Sequence, residues 1–189
     1  VLTVNPLLPG YKEDIESGIR LFDIKGVRVF PGYHGYNLDN SHFAELCIIL
    51  GHYNLPLFLS VRLEDERLNY MLAPSVMRMD DVSSFIYNNT GLVIILLTMR
   101  NEEVLQIKDA LLSHPNAYYD TSGLKNQLFA IEKMVRALGD DRMLYGSLHP
   151  LLCLKSTLLL VEKAELDAAA KEKILFRNAE RLLRTNWDG

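Results

Sequence analysis

"LVIILLTMRNEEVLQIKDALLSHPNAYYDTS", residues 92–122, sets two apolar runs on either side of one helical segment. The first run, "LVIILLTM", is apolar without alternation, as a parallel strand covered on both faces must be. "NEEVLQIKDALLSH" follows as a helix, with Asn101 expected as its cap and Glu102 and Glu103 at the positive end of the helix dipole. "AYYDTS" is then a second strand. Two strands joined by a single helix pair in parallel, which makes this stretch a β/α/β unit.

The alternation extends in both directions. Upstream lie strands in "VLTVNP" (1–6), "GVRVF" (26–30) and "LPLFLSVRL" (55–63). Between them, "YKEDIESGIRLF" spaces Ile15, Ile19 and Phe22 helically. "SHFAELCIILGHY" likewise places Phe43, Leu46, Cys47 and Leu50 on one stripe, and residues 80–89 form a further helix. Downstream, "LKNQLFAIEKMVRALG" is a helix stopped by Gly139, and "RMLYGS" is the sixth strand. Helices over 152–161 and 167–183 close the chain. Six units in 189 residues take about 31 residues each, against about 250 for eight. The chain therefore fits about six of the eight units of a (β/α)8 barrel, or a complete six-stranded doubly wound sheet. No glycine-rich phosphate loop follows any strand, which weakens the nucleotide-binding versions of the open sheet.

Composition limits the function classes. A net charge of −4 and the lack of a basic run argue against nucleic-acid and anionic-membrane partners. The longest apolar run is half a membrane span. Cys47 and Cys153 lie in apolar segments without zinc-type spacing and read as buried free thiols of a cytoplasmic protein, with a structural pair as the alternative.

In parallel α/β proteins the chemistry lies just beyond the strand ends. There the sequence places Tyr33, His34 and Tyr36; Arg62, Glu64, Asp65 and Arg67; Thr98 and Arg100; Asp120 and Ser122; and His149. These would form a polar rim with His34, Asp120 and His149 as acid–base groups. Tyr33, Arg62, Asp65, Arg67 and Ser122 would contact a small, anionic ligand. The plainer alternatives are a solvated ion pair among Glu64, Asp65 and Arg67, and a helix-capping role for Asp120. His42, His52 and His114 fall on helices or their ends and read as surface or packing residues. Only His34 and His149 among the histidines stand at strand ends, so a three-ligand zinc site would need Asp120 or Asp65 as its third member.

Six segments, "NPLLPGYKEDIE", "KGVRVFPGYHGYNLDN", "LPLFLSVRLEDER", "AYYDTSGL", "LGDDRMLYGSLHPL" and "KILFRNAERLL", together resemble the amidohydrolase superfamily. The nearest branch is its amidohydrolase-related, metal-dependent TIM-barrel hydrolases. The resemblance runs from about Asn5 to Leu183 and implies a single-domain (β/α)8 barrel without its first one or two units. It also implies hydrolysis, or decarboxylation in some members, by a metal-activated water, with zinc or another divalent ion as the family's usual cofactor. The family's ligands are an H-x-H on the first strand, histidines or a lysine on middle strands, and a last-strand aspartate. Here no H-x-H occurs, the middle positions fall near Ser60 and Thr98, and the aspartate position falls on Leu148. A one-residue slip would put His149 there instead. The expectation is thus an amidohydrolase-like protein with a degenerate metal site and no cofactor, or a non-catalytic barrel remnant that binds a small molecule or a protein. An incomplete barrel leaves two strand edges bare, so a homo-oligomer, upstream residues or rearranged helices are expected to cover them.

Overall fold

A computed structural model describes residues 1–63, 74–125 and 127–184. It contains six parallel strands: β1 (Leu2–Thr3), β2 (Val27–Val29), β3 (Leu57–Ser60), β4 (Ile94–Leu97), β5 (Ala117–Asp120) and β6 (Met143–Leu144). They pair in strict sequence order, β1-β2-β3-β4-β5-β6. A doubly wound sheet reverses direction at a switch point. This sheet never does, so it is an arc of a singly wound (β/α) barrel.

Between the strands lie α1 (Tyr11–Phe22), α2 (Pro31–His34), α3 (Ser41–His52), α4 (Met79–Asn88), α5 (Asn101–Gln106), α6 (Lys108–Ser113) and α7 (Ala130–Leu138); α8 (Leu154–Glu162), α9 (Ala168–Glu172) and α10 (Asn178–Arg184) follow β6. A π-helical turn, Lys173–Arg177, joins α9 to α10. Helix α3 is started by Asn40, whose side chain accepts from the backbone N–H of His42 at 2.9 Å and of Phe43 at 3.4 Å. Gly139, at φ 79°, ends α7 as expected.

Several local expectations are corrected. The helix after β4 breaks into α5 and α6 at Ile107, and its cap position is Arg100; Asn101 is the first helical residue and is buried. The segment after β5 turns through Phe129, at φ 57°, before α7 begins at Ala130. Cys47 is buried, but Cys153 is exposed at the start of α8 because α8 buries only Thr157 and Val161.

Strand register divides the side chains into two sets. Arg28 is registered with Phe58, Phe58 with Ile95, and Ile95 with Tyr118. Registered residues share a face and neighbours along a strand alternate. The outward set is Val27, Val29, Leu57, Leu59, Ile94, Leu96, Ala117, Tyr119 and Met143. It packs with Ile15, Phe43, Leu46, Val82, Ile86, Leu111, Ile131 and Met134 in the main core. The inward set forms two layers. Ile95, Tyr118 and Leu144 pack with Leu182 of α10, with Phe58 and Ala179 beside them. Above that apolar layer, toward the strand carboxyl ends, come Ser60 and Asp120.

The C-terminal segment also covers the β6 side. Tyr145 N–H donates to the Ile174 carbonyl at 2.8 Å, and Asn178 Nδ2 donates to the carbonyls of Asp140 at 2.7 Å and Met143 at 2.9 Å. Helices thus take the edge-covering role on that side.

Candidate functional site

The inward layer at the strand carboxyl ends is a polar cluster of five residues: Arg28, Ser60 and Asp120 from β2, β3 and β5, Thr98 just after β4, and Ser122 in the turn after β5. Arg28 projects from the middle of β2 and its Nε donates to Ser60 Oγ at 2.8 Å. Its guanidinium carbon stands 4.7 Å from the centre of the Phe30 ring, close enough for a cation–π contact. Ser60, at the end of β3, is buried. Arg28 makes no other hydrogen bond to the described residues, which leaves its terminal amino groups as unused donors there.

Asp120 ends β5 and is buried at 6% exposure. Its Oδ1 accepts from the Thr98 backbone N–H at 2.8 Å and from Ser122 Oγ at 2.9 Å. The Thr98 and Ser122 hydroxyl oxygens are 3.2 Å apart. Burial pushes the Asp120 carboxyl up to about 6, against the opposing pull of those hydrogen bonds and of the Arg28 charge. Thr98 reaches this arrangement at φ 61°, a region that β-branched residues avoid at a cost on the order of 1–3 kcal/mol. Its backbone N–H is the group that holds Asp120.

Gly146 is part of the same unit. A Cβ built on it would lie 2.1 Å from Asp120 Oδ2, so the carboxylate occupies the space a side chain would need. Thr121 Oγ1 fastens the two strands just above, accepting from Gly146 N–H at 3.0 Å and lying 3.0 Å from the Gly146 carbonyl.

The remaining expected residues are distributed around this cluster. Arg62 is half-buried and bound in a two-pronged ion pair with Glu103, Nη1 to Oε2 being 2.7 Å, and also donates to the Thr98 carbonyl at 3.1 Å. Burial disfavours the ionised Glu103, but bonds from Arg62 and the Arg100 N–H outweigh it and hold the carboxyl below its usual range. Arg62 therefore braces β3 against α5. His34 ends α2, edge-on to Phe30 with ring centres 6.0 Å apart. Its Nδ1 is buried without a hydrogen-bond partner among the described residues, and burial lowers its pKa. Tyr33 meets Phe30 edge-on at 6.4 Å.

His149 is exposed, and its backbone N–H donates to Ser147 Oγ at 3.2 Å. Among the described residues no hydrogen bond, ion pair or ring contact joins His34, Asp120 and His149 to one another. Among the described residues Asp120 caps no helix; the next one, α7, has Phe129 at its cap position. Glu64, Asp65 and Arg67 lie outside the described residues. His114 is a packing residue, its Nε2 3.0 Å from the Asn89 carbonyl and its Nδ1 accepting from Asn116 N–H at 3.0 Å.

Sequence reasoning missed Arg28. Its signal was a lone cation between two valines of a strand, "VRV", where one parity faces the barrel interior.

The resemblance implies a divalent metal at this end of the barrel. Among the described residues, no three His, Cys, Asp or Glu side chains come together as ligands would. Asp120 is one carboxylate among hydroxyls and a guanidinium, and Leu148 offers no lone pair. This donor set does not fit a divalent ion.

No protein-family model and no curated protein matches the sequence. Solved structures do match. A TIM-barrel protein from Bordetella bronchiseptica, Bb4693, is 18% identical with a TM-score of 0.76, over 97% of this chain and 66% of its own. The 5-carboxyvanillate decarboxylase of Novosphingobium aromaticivorans, complexed with manganese and 4-hydroxy-3-methoxy-5-nitrobenzoic acid, is 18% identical with a TM-score of 0.72, over 96% and 62%. A Staphylococcus aureus protein assigned as an amidohydrolase is 15% identical with a TM-score of 0.67, over 92% and 68%. The likeness establishes the fold, a partial (β/α)8 barrel. The chain spans about two thirds of the length of these structures.

Proposed function

We propose that this chain is an amidohydrolase-like protein, of the metal-dependent hydrolase and decarboxylase kind, whose metal site is degenerate. Its polar layer at the strand carboxyl ends serves instead to bind a small aromatic carboxylate. One observation carries the reading. Ser60, at the position the resemblance gives to a ligating middle-strand histidine, has its hydroxyl engaged by the Arg28 guanidinium. A divalent ion placed beside it would meet a fixed positive charge and too few lone pairs. Leu148 at the last-strand position supports the same reading. The ligand class is taken from the manganese-bound decarboxylase, which holds a substituted benzoic acid.

The test is incubation with 5-carboxyvanillate, with and without added manganese, following carbon dioxide release and ligand binding. Saturable binding without turnover in either condition is expected. Manganese-dependent decarboxylation would overturn the reading. The second reading, a barrel remnant with no small-molecule ligand that docks a protein, would be left standing by a complete failure to bind.

A further inference from the structure

We infer that the Arg28 guanidinium, stacked on Phe30, is the carboxylate anchor of this site and supplies the positive charge that a metal supplies in related barrels. The inference deepens the preceding proposal and rests on its metal-free reading.

Four observations converge on it. Arg28 occupies an inward position of β2, level with Phe58, so its side chain rises from the apolar layer into the polar one. Nε is tied to Ser60 Oγ, which fixes the plane of the guanidinium and leaves the terminal amino groups as a planar pair of donors. That pair matches the two oxygens of a carboxylate. Phe30 lies under the guanidinium, its ring centre 4.7 Å from the guanidinium carbon, and steadies the cation by a cation–π contact. Finally, burial works against the charged form of Arg28, and the charge nearby is Asp120, whose oxygens are already engaged by Thr98 and Ser122. A cation only partly compensated in a half-buried site favours an incoming anion. Arg62 cannot take this role, because Glu103 already holds both its prongs.

An arginine anchor behaves unlike a metal. It does not exchange, a chelator does not remove it, and it discriminates a carboxylate from a phenol of the same shape. The probe is 4-hydroxy-3-methoxy-5-nitrobenzoate, titrated optically or by calorimetry into the full chain with EDTA present. Its counterpart without the carboxyl group is 2-methoxy-6-nitrophenol. The unmodified chain should prefer the carboxylate, and Arg28→Gln should weaken carboxylate binding roughly tenfold or more while leaving the phenol within about twofold. Arg28→Lys keeps the charge and the stem but loses the fork, so it should bind the carboxylate several-fold more weakly. It carries the test if the glutamine variant fails to fold. Ser60→Ala should retain binding within about threefold.

Carboxylate affinity unchanged in both Arg28 variants would overturn the inference while leaving the metal-free reading intact. Failure of the unmodified chain to bind the probe with EDTA present would overturn it as well. Binding that appears only when manganese is added would overturn both proposals.

Discussion

Replacing Asp120 with asparagine should change how the stability of this protein responds to pH. The carboxyl is raised from 3.8 to about 6 by burial, so the folded protein holds that proton more tightly than the unfolded chain. The stability this group contributes is fully present below pH 3.8 and is lost as pH rises through about 6. Asparagine keeps an oxygen for the Thr98 N–H and the Ser122 hydroxyl, has the same shape and does not titrate. The stability of the unmodified chain minus that of Asp120→Asn should therefore increase as pH falls from 7. Taking the two pKa values, the gain is about 1 kcal/mol by pH 5 and about 2 kcal/mol by pH 4, approaching about 3 kcal/mol at lower pH. Urea denaturation of both proteins at half-unit intervals from pH 7 to pH 4 measures this double difference. Glu103, His34 and the surface carboxylates contribute almost equally to both proteins and cancel. A difference that stays flat, or falls toward low pH, would refute the reasoning. It would mean that Arg28 and the hydrogen bonds outweigh burial.

Gly146→Ala should destabilise the protein by about 1–3 kcal/mol, because its Cβ would meet Asp120 Oδ2, and thermal unfolding would detect the loss. Gly51→Ala, where the Cβ meets open space near the end of α3, should instead be neutral or stabilise by up to about 1 kcal/mol. Arg62→Gln and Glu103→Gln should each cost about 1–3 kcal/mol, and the double variant little more than either alone; additive losses would contradict a direct pair. The His34 imidazole should titrate below 6.5 by NMR, and its contribution to stability should be lost as pH falls through that range; a midpoint above 6.5 would remove burial as the dominant influence.

The scaffold was legible in the sequence because its signal is periodic. The bounds of α1 coincide with the amphipathic run "YKEDIESGIRLF", and "LPLFLSVRL" and "LVIILLTM" contain β3 and β4. The alternatives of barrel and doubly wound sheet could not be separated by periodicity, since both use the same β/α unit. Strand order decided between them. Helix breaks at Ile107 and Phe129 escaped because they depend on how the chain packs, not on a local glycine or proline.

The site was legible only where a residue stood just past a strand. Asp120 and Ser122 were found that way, and the structure brings them together with Thr98. Arg28 was hidden inside a strand, where facing inward is a matter of register. Gly146 read only as the end of the sixth strand, yet its lack of a side chain is explained by a carboxylate from the neighbouring strand. Arg62 looked available until Glu103, some 41 positions later in sequence, was placed against it.

The most direct test of the account is elemental analysis of the purified chain after equilibration with excess manganese and zinc and removal of unbound ions. A guanidinium, three hydroxyls and a single carboxylate should leave the protein with far less than one ion per chain. About one tightly held ion per chain, displaced by substituting Asp120, would contradict it.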